Sequence, residues 1–188
     1  MNMLPNHLGG HENMTHIDVG ALDLLMQKYN VKSMLDIGCG PGGMVRQAHL
    51  KGLDVLGVDG DFTVSRPKMI EPFVKIHDFV TGPFIPPRQF DLCWSVEFVE
   101  HVEERFMDNF IEPMKYCKYV LITHALPNQP GWHHVNCQTY DYWVDAFTDR
   151  GFTFDAGGTI AIRAASTMNE RYVRLQSLFF VNGSVRSV

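Results

Sequence analysis

The chain has 188 residues, of which 45% are hydrophobic and 20% charged, and its formal net charge is −5 at pH 7. This length fits one domain, the composition is that of a globular protein, and the negative charge argues against a broad phosphate-binding surface. The four cysteines form no C-x-x-C pair, and no signal peptide or membrane-spanning run is visible. We therefore expect a cytoplasmic protein whose partners include neither membrane nor nucleic acid.

The first 30 residues are predicted to form an arm and a helix. Met1 to His16 is rich in glycine, asparagine and histidine, a composition typical of loops. A helix follows, because apolar residues then recur at helical spacing: Leu22, Leu25, Met26 and Tyr29. We interpret the three arm histidines as solvated loop residues; a substrate-facing lid and a metal cluster are the alternatives. These histidines are His7, His11 and His16.

A glycine cluster follows the first apolar strand. Four glycines fall within six residues, and an amphipathic segment comes next: Gly38, Gly40, Gly42, Gly43, then Met44 to Lys51. Strand, glycine turn and helix begin a βαβ unit. Glycine reaches backbone angles closed to other residues and lets a ligand approach the main chain, and the helix start offers free N–H groups. The pattern predicts a nucleotide-cofactor turn.

One cofactor that fits this turn is a nicotinamide dinucleotide. Gly38, Gly40 and Gly43 match the G-x-G-x-x-G pattern, and Asp59 follows at the spacing of a ribose-binding acid. Asp59 has two carboxylate oxygens for two ribose hydroxyls, although Asp59-Gly60 is also good turn chemistry. An NAD(P)-dependent oxidoreductase is therefore an alternative function.

Two further acids favour a different cofactor. Asp36 precedes Gly38 by two residues, where a carboxylate can meet an amine-bearing ligand, and Asp78 follows the next apolar strand, where a nucleobase would lie. The stretch from Leu35 to Gly42, LDIGCGPG, resembles the first motif of the class I S-adenosylmethionine (SAM) dependent methyltransferases. The resemblance to the small-molecule branch of that family extends from about residue 31 to residue 154.

The resemblance implies a cofactor site. The amino-acid end of SAM would lie at Asp36 and the glycine turn, the ribose at Asp59, and the adenine at Asp78, for which an N-cap or turn role is the alternative. The arm and first helix would cover this site. The full set of cofactor-binding residues that we expect is Asp36, Gly38, Cys39, Gly40, Asp59, Gly60, Asp78, Phe79 and Ser95.

The end of strand four carries two acids and a histidine. On a helix, Glu97, Glu100 and His101 would share one face, and such a set can bind a divalent ion. Methyltransferases that act on catechols or RNA 3′ ends use a similar Glu-x-x-Glu-His run for that purpose. We interpret Glu100 and His101 instead as hydrogen-bonding braces of the loop, and we predict no metal.

The connection after strand five, His124 to Asn136, is rich in aromatic, amide and imidazole groups. Ligands of open α/β sheets bind beyond the carboxyl ends of the strands, where this loop begins. His133 and His134, with Asn136, are our acceptor-side candidates, since a histidine can take a proton from an acceptor near neutral pH. The alternative is that the imidazoles only hold the loop in place.

The last third of the chain combines a predicted helix, two predicted strands and one segment of undecided structure. Tyr140 to Arg150 is predicted as a helix ended by Gly151, and Phe152 to Phe154 and Leu175 to Val181 as strands six and seven. The segment from residue 158 to residue 167 is compatible with a short helix or an extended insertion.

Strands that alternate with helices predict a parallel sheet covered on both faces. The resemblance implies a Rossmann-like, seven-stranded, doubly wound sheet with an antiparallel last strand. It also implies methyl transfer from SAM to an unidentified small-molecule oxygen or nitrogen acceptor, with S-adenosylhomocysteine as product. A catalytically silent SAM-binding subunit is a further alternative. Methylation of base amines is disfavoured, because Ser95-Val96-Glu97 lacks an Asn/Asp-Pro-Pro-aromatic tetrad.

Overall fold

The computed structural model describes residues 4–188, so the first three residues of the predicted arm lie outside the described part of the chain. The strands form one sheet of seven in the order β3-β2-β1-β4-β5-β7-β6. Their bounds are β1 Ser33–Ile37, β2 Asp54–Asp59, β3 Val74–Ile76, β4 Phe90–Ser95, β5 Cys117–Thr123, β6 Phe152–Phe154 and β7 Ser177–Asn182.

The direction of the strands follows the prediction. Strands β1 to β5 pair in parallel, and β7 runs antiparallel to both β5 and β6. The strand order reverses at β1, which has β2 on one side and β4 on the other. The Rossmann-like, doubly wound sheet with one antiparallel last strand is therefore confirmed, and its switch point lies at the glycine turn.

The helices are α1 Val19–Tyr29, α2 Gly43–Leu50, α3 Met107–Met114, α4 Tyr140–Thr148, α5 Ala156–Ala165 and α6 Tyr172–Gln176. Helix α1 begins where Asp18 accepts a hydrogen bond from the backbone N–H of Ala21, and it ends at Asn30 in a left-handed conformation. Helix α5 has the same kind of start, because the Asp155 side chain accepts from Gly158 N–H. Side-chain caps thus fix the starts of α1 and α5.

Successive residues along the inner strands belong to two different cores, as the alternation of side chains in a strand requires. In β1, Leu35 and Ile37 pack with the core that contains α3 and α4, while Met34 packs with the core that contains α1 and α2. Both cores are built from fully buried apolar side chains. The two layers hold the strand ends rigidly, and the strand ends carry the candidate site.

Three local expectations need correction. The undecided segment after β6 is the helix α5, and Leu175 belongs to α6 rather than to the last strand. The predicted helical face after strand four is wrong for Glu97, because only Val99–His101 forms a 3-10 turn. The backbone of Glu97 has φ 56°, and Thr123 Oγ1 accepts from its N–H at 2.8 Å and donates to its carboxylate at 3.0 Å.

Within residues 4–188, none of the helices combines the length and the apolar character needed to cross a membrane.

Candidate functional site

A cavity of about 310 Å³ lies at the carboxyl ends of β1 to β4. Three parts of the chain line it: the strand ends, the arm before α1, and the loop from residue 129 to residue 134. All the predicted cofactor residues except Ser95 are among the lining residues, as are His133 and His134. The fold therefore brings the predicted site residues together from positions that are far apart in the sequence.

The glycine turn at the end of β1 needs its glycines. Gly38, Gly40 and Gly42 have φ values of 77°, 49° and 82°, in the left-handed region that residues with a Cβ rarely adopt. A Cβ on Gly38 would also lie 2.4 Å from the ring of Phe98. The turn is anchored to β2, because the N–H groups of Gly38 and Cys39 both donate to the carbonyl of Val58.

Asp59 ends β2, and each oxygen of its carboxylate accepts one backbone hydrogen bond. Its Oδ2 accepts from Gly40 N–H at 2.7 Å, and its Oδ1 accepts from Asp61 N–H at 2.8 Å. Arg66 Nη2 lies 3.6 Å from Oδ1. Burial raises the pKa of Asp59, and these hydrogen bonds and the arginine act in the opposite direction. The carboxylate is therefore fixed in place against the glycine turn.

Asp36 is more deeply buried than Asp59, and only 3% of its surface is exposed. Burial, and second the negative charge of Asp59, raise the pKa of Asp36 to about 8. A carboxyl group in this position is stabilised in its charged form by a cation that enters the cavity. A ligand ammonium group meets that requirement.

The remaining predicted cofactor residues occupy different environments. Asp78 accepts from Val80 N–H at 3.0 Å, which is the turn role considered as its alternative, and its other oxygen is shared with the arm. Phe79 is buried and its carbonyl accepts from Asn109, while Gly60 packs against Leu8. Ser95 is fully buried and its hydroxyl donates to the carbonyl of Ile37, so it braces β4 against β1 and does not line the cavity.

The arm before α1 closes one side of the cavity. His7 Nε2 lies 2.8 Å from Asp78 Oδ2, and His11 Nε2 lies 3.0 Å from Asp61 Oδ2. Thr15 Oγ1 accepts from the first N–H of α2 at 3.1 Å. The lining residues come from the arm and none of them from α1. Both histidines are thus engaged with aspartates, in contrast to the expectation of solvated loop residues.

The opposite wall is the loop after β5, and it is held by the 3-10 turn after β4. The N–H groups of Val135 and Asn136 both donate to the backbone carbonyl of Glu100 at 3.0 Å. Trp132 contributes its carbonyl, which lies 2.7 Å from His101 Nδ1. His101 therefore braces the loop, as predicted. Asn136 is buried and does not line the cavity.

Two acids next to this wall, Glu97 and Glu100, have raised pKa values, and Glu97 itself lines the cavity. Burial raises the pKa of Glu97 to about 7, and burial together with the charge of Glu97 raises the pKa of Glu100 well above its usual range. Glu100 is fully buried, and neither of its carboxylate oxygens has a hydrogen-bond partner among residues 4–188. Burial also lowers the pKa of His101 to about 4, so its imidazole is neutral.

Sequence reasoning missed two contributors. Arg66 donates from Nε to the carbonyl of Gly40 at 2.9 Å, and Phe98 packs on Gly38. Arg66 lies in a segment with no periodicity, so only its charge could have drawn attention. Phe98 directly follows Glu97 after the end of β4. Because ligands and loops meet at the carboxyl ends of the strands, its position near the glycine turn could have been predicted from the sequence.

Comparison with known proteins agrees with this geometry. Residues 35–115 match the family model described as a methyltransferase domain. No curated protein matches the chain.

Solved structures share the fold across most of the chain. A TehB-like SAM-dependent methyltransferase from Corynebacterium glutamicum has a TM-score of 0.62 at 16% identity, over 87% of each chain. The methyltransferase domain of a bacterial Hen1, CtHen1-C, has a TM-score of 0.59 at 17% identity, over 87% of this chain and 96% of that chain. Magnesium protoporphyrin IX methyltransferase from Synechocystis PCC 6803, with bound S-adenosylhomocysteine, has a TM-score of 0.58 at 14% identity, over 86% and 80%. At these identities the likeness establishes the fold.

Proposed function

Because residues 35–115 match the family model of a methyltransferase domain, we propose that the chain is a class I SAM-dependent methyltransferase that transfers the methyl group of SAM to an oxygen or nitrogen of a small molecule. The observation that carries the proposal is the convergence of three acids and the glycine turn on one cavity at the switch point of the sheet. The acids are Asp36, Asp59 and Asp78.

The cofactor half of the cavity fits SAM by its chemistry. Asp36 is buried and lacks a neighbouring cation that would hold it ionised, which suits the ammonium of an amino acid. Asp59 is already oriented by two backbone N–H groups, and its remaining lone pairs can accept from ribose hydroxyls. Asp78 offers the oxygen that now faces His7 to an exocyclic amine.

When bound, SAM supplies a methyl group on a sulfonium, which is already activated for transfer. The protein's contribution is then to orient the acceptor in line and to exclude water, and orientation can account for much of the lowered barrier. The arm from residue 7 to residue 16 closes the cavity on one side. The single proton released by a hydroxyl or amine acceptor needs a base, and His133 and His134, which line the cavity, are our candidates for it.

A small-molecule acceptor is supported by the size and the charge of the molecule. The cavity of about 310 Å³ is shared by donor and acceptor and is walled by the arm and the loop. The net charge of −5 disfavours a long polyanion. The family match, which covers the glycine turn and all three acids, disfavours the oxidoreductase alternative.

The proposal is tested with methyl-labelled SAM. The protein is incubated with a panel of small hydroxyl and amine compounds, and in parallel with total RNA, and the label is followed into each fraction. The Asp59→Ala variant is the control for cofactor-dependent transfer. We expect label in the small-molecule fraction only. Label confined to RNA would contradict the acceptor class, and failure of SAM or its product to bind would contradict the cofactor.

A further inference from the structure

Three potential metal ligands meet behind the loop after β5. Atoms from Glu100, His101 and His134 lie within 4.8 Å of one another. Two of these residues end the 3-10 turn after β4, and the third comes from the loop that faces it. We propose that this cluster is a binding site for one divalent transition-metal ion. This departs from our sequence prediction of no metal, and the ligand set differs from the helical set considered there, since His134 takes the place of Glu97.

The carboxylate of Glu100 is the first argument. It has no exposed surface, and both of its oxygens lack a hydrogen-bond donor. A buried carboxyl group without a hydrogen-bond partner destabilises the folded state. Buried charges in proteins are paired or coordinate metals. A cation between Glu100 and the two imidazoles supplies the missing partner.

The orientation of the two imidazoles is the second argument. His101 Nδ1 lies 2.7 Å from the carbonyl of Trp132, and His134 Nδ1 lies 3.0 Å from the carbonyl of Gln129. A carbonyl only accepts, so each Nδ1 carries the hydrogen and each Nε2 presents a lone pair. Metal-ligating histidines show this arrangement, in which the second ring nitrogen donates to a carbonyl or carboxylate. The imidazole rings of His101 and His134, whose centroids lie 5.0 Å apart, both have this arrangement.

The backbone holds the three ligands in one frame. Val135 and Asn136 donate to the carbonyl of Glu100, which ties the strand-four turn to the residue that follows His134. Gly131 makes room for the imidazole, since a Cβ at that position would lie 2.1 Å from His134 Nε2. The arrangement therefore depends on contacts from both segments and is not a chance meeting of mobile side chains.

The donor set selects the kind of ion. Two imidazole nitrogens and one carboxylate suit divalent transition-metal ions, such as Zn²⁺ and Co²⁺ through the imidazoles and Mn²⁺ through the carboxylate, better than Ca²⁺ or Mg²⁺, which prefer oxygen ligands alone. Three protein ligands leave positions open for water or substrate. His101 and His134 both line the cavity, so these positions face the acceptor side. Resting on the proposed function, the ion would bind the acceptor oxygen and lower the pKa of its hydroxyl.

The test is a titration of tag-free, full-length protein, freed of metal with EDTA, with MnCl₂ and separately with ZnCl₂. Calorimetry gives the affinity and stoichiometry, and electron paramagnetic resonance reports the Mn²⁺ environment. We expect one ion per chain, with affinity lowered at least about tenfold in Glu100→Gln and in His134→Ala. His133→Ala is the matched control, because it removes the adjacent imidazole, which is outside the cluster, and should retain the wild-type affinity.

Three results would overturn the proposal: no binding by the wild type, unchanged affinity in both folded variants, or an equal loss in His133→Ala. Circular dichroism establishes whether each variant folds. Two ligand variants are made, so that the test can still be read if one of them does not fold. Binding of S-adenosylhomocysteine is measured separately in EDTA. It depends on the opposite half of the cavity, so loss of the metal site and loss of the cofactor site give different results.

Discussion

The two halves of the cavity treat their acidic residues in opposite ways. On the cofactor side, Asp59 accepts two backbone hydrogen bonds and Asp61 accepts from Thr63 and faces His11. On the acceptor side, Glu100 is fully buried with both oxygens unpartnered. In the first half the protein's own donors hold Asp59, whereas Asp36, which is buried and has a raised pKa, needs the ammonium group of the ligand. The second half is incomplete without a positively charged group, and this difference separates the sites that we propose for SAM and for a metal ion.

The largest expected effect comes from the cofactor half. Asp59→Ala should weaken binding of S-adenosylhomocysteine by about 100-fold, because two hydrogen bonds to a charged group are lost, roughly 3 kcal/mol together. Calorimetry measures the affinity. The control is Asp54→Ala, at the other end of β2, where the acid pairs with Arg88 at the surface. Unchanged affinity in a folded Asp59→Ala protein would remove the ribose assignment.

A pH dependence should come next in size. The raised pKa of Asp36, about 8, means that the empty site holds a neutral carboxyl below that pH, and an ammonium ligand binds only the ionised form well. Affinity for S-adenosylhomocysteine should therefore rise by about one order of magnitude from about pH 6.5 to about pH 8, with proton release on binding.

Calorimetry in buffers of different ionisation enthalpy detects that proton. The Asp36→Asn variant should bind more weakly and without this pH dependence. A wild-type affinity that is flat across the range would show that Asp36 is ionised in the empty site or does not meet the ammonium.

On the acceptor side we predict a substitution that stabilises the protein. In EDTA, Glu100→Met should raise the free energy of unfolding by about 1 to 2 kcal/mol, because it replaces an unpartnered buried carboxyl group by an apolar side chain of similar size. With MnCl₂ present the order should reverse, since only the wild type gains stability from the ion. Denaturant unfolding measures both. A destabilised Glu100→Met protein in EDTA would mean that Glu100 is already satisfied.

The smallest effect concerns the arm. His7→Ala removes a partly exposed pair with Asp78, and pairs of this kind contribute about 0 to 1 kcal/mol. The melting temperature should hardly change, while amide hydrogen exchange in residues 5–16 should become faster. His16→Ala, which removes the pair with Glu170 on the far side of the arm, is the comparison. Equal exchange in wild type and His7→Ala would show that the pair with Asp78 does not hold the arm.

The same contrast explains what the sequence could predict. The glycine turn, Asp36 and Asp59 follow short-range rules, in which a strand, a turn and an acid stand at fixed spacing. Strand β6 also has the predicted bounds. Backbone preferences within a few residues determine these features, so periodicity and glycine placement are sufficient to find them.

Long-range packing determines the parts that were missed. Glu97 was expected on a helix with Glu100, but its hydrogen bonds with Thr123 of β5 hold it in a left-handed conformation. His134 joins Glu100 only because the loop donates to the Glu100 carbonyl. Helix α5 has Gly157 and Gly158, which have low helix propensity, in its first turn, and a contact with β7 holds it, because Thr159 Oγ1 accepts from Phe179 N–H at 3.0 Å. None of these contacts is visible in local patterns.

The central claim is tested most directly by calorimetric titration of the purified protein with S-adenosylhomocysteine, with NAD as a parallel titrant. The account predicts one site for S-adenosylhomocysteine in the micromolar range, about 8 kcal/mol, and no heat from NAD. Binding of NAD alone would contradict the cofactor assignment and leave only the fold, and binding of neither compound would contradict a functional cofactor site at the glycine turn.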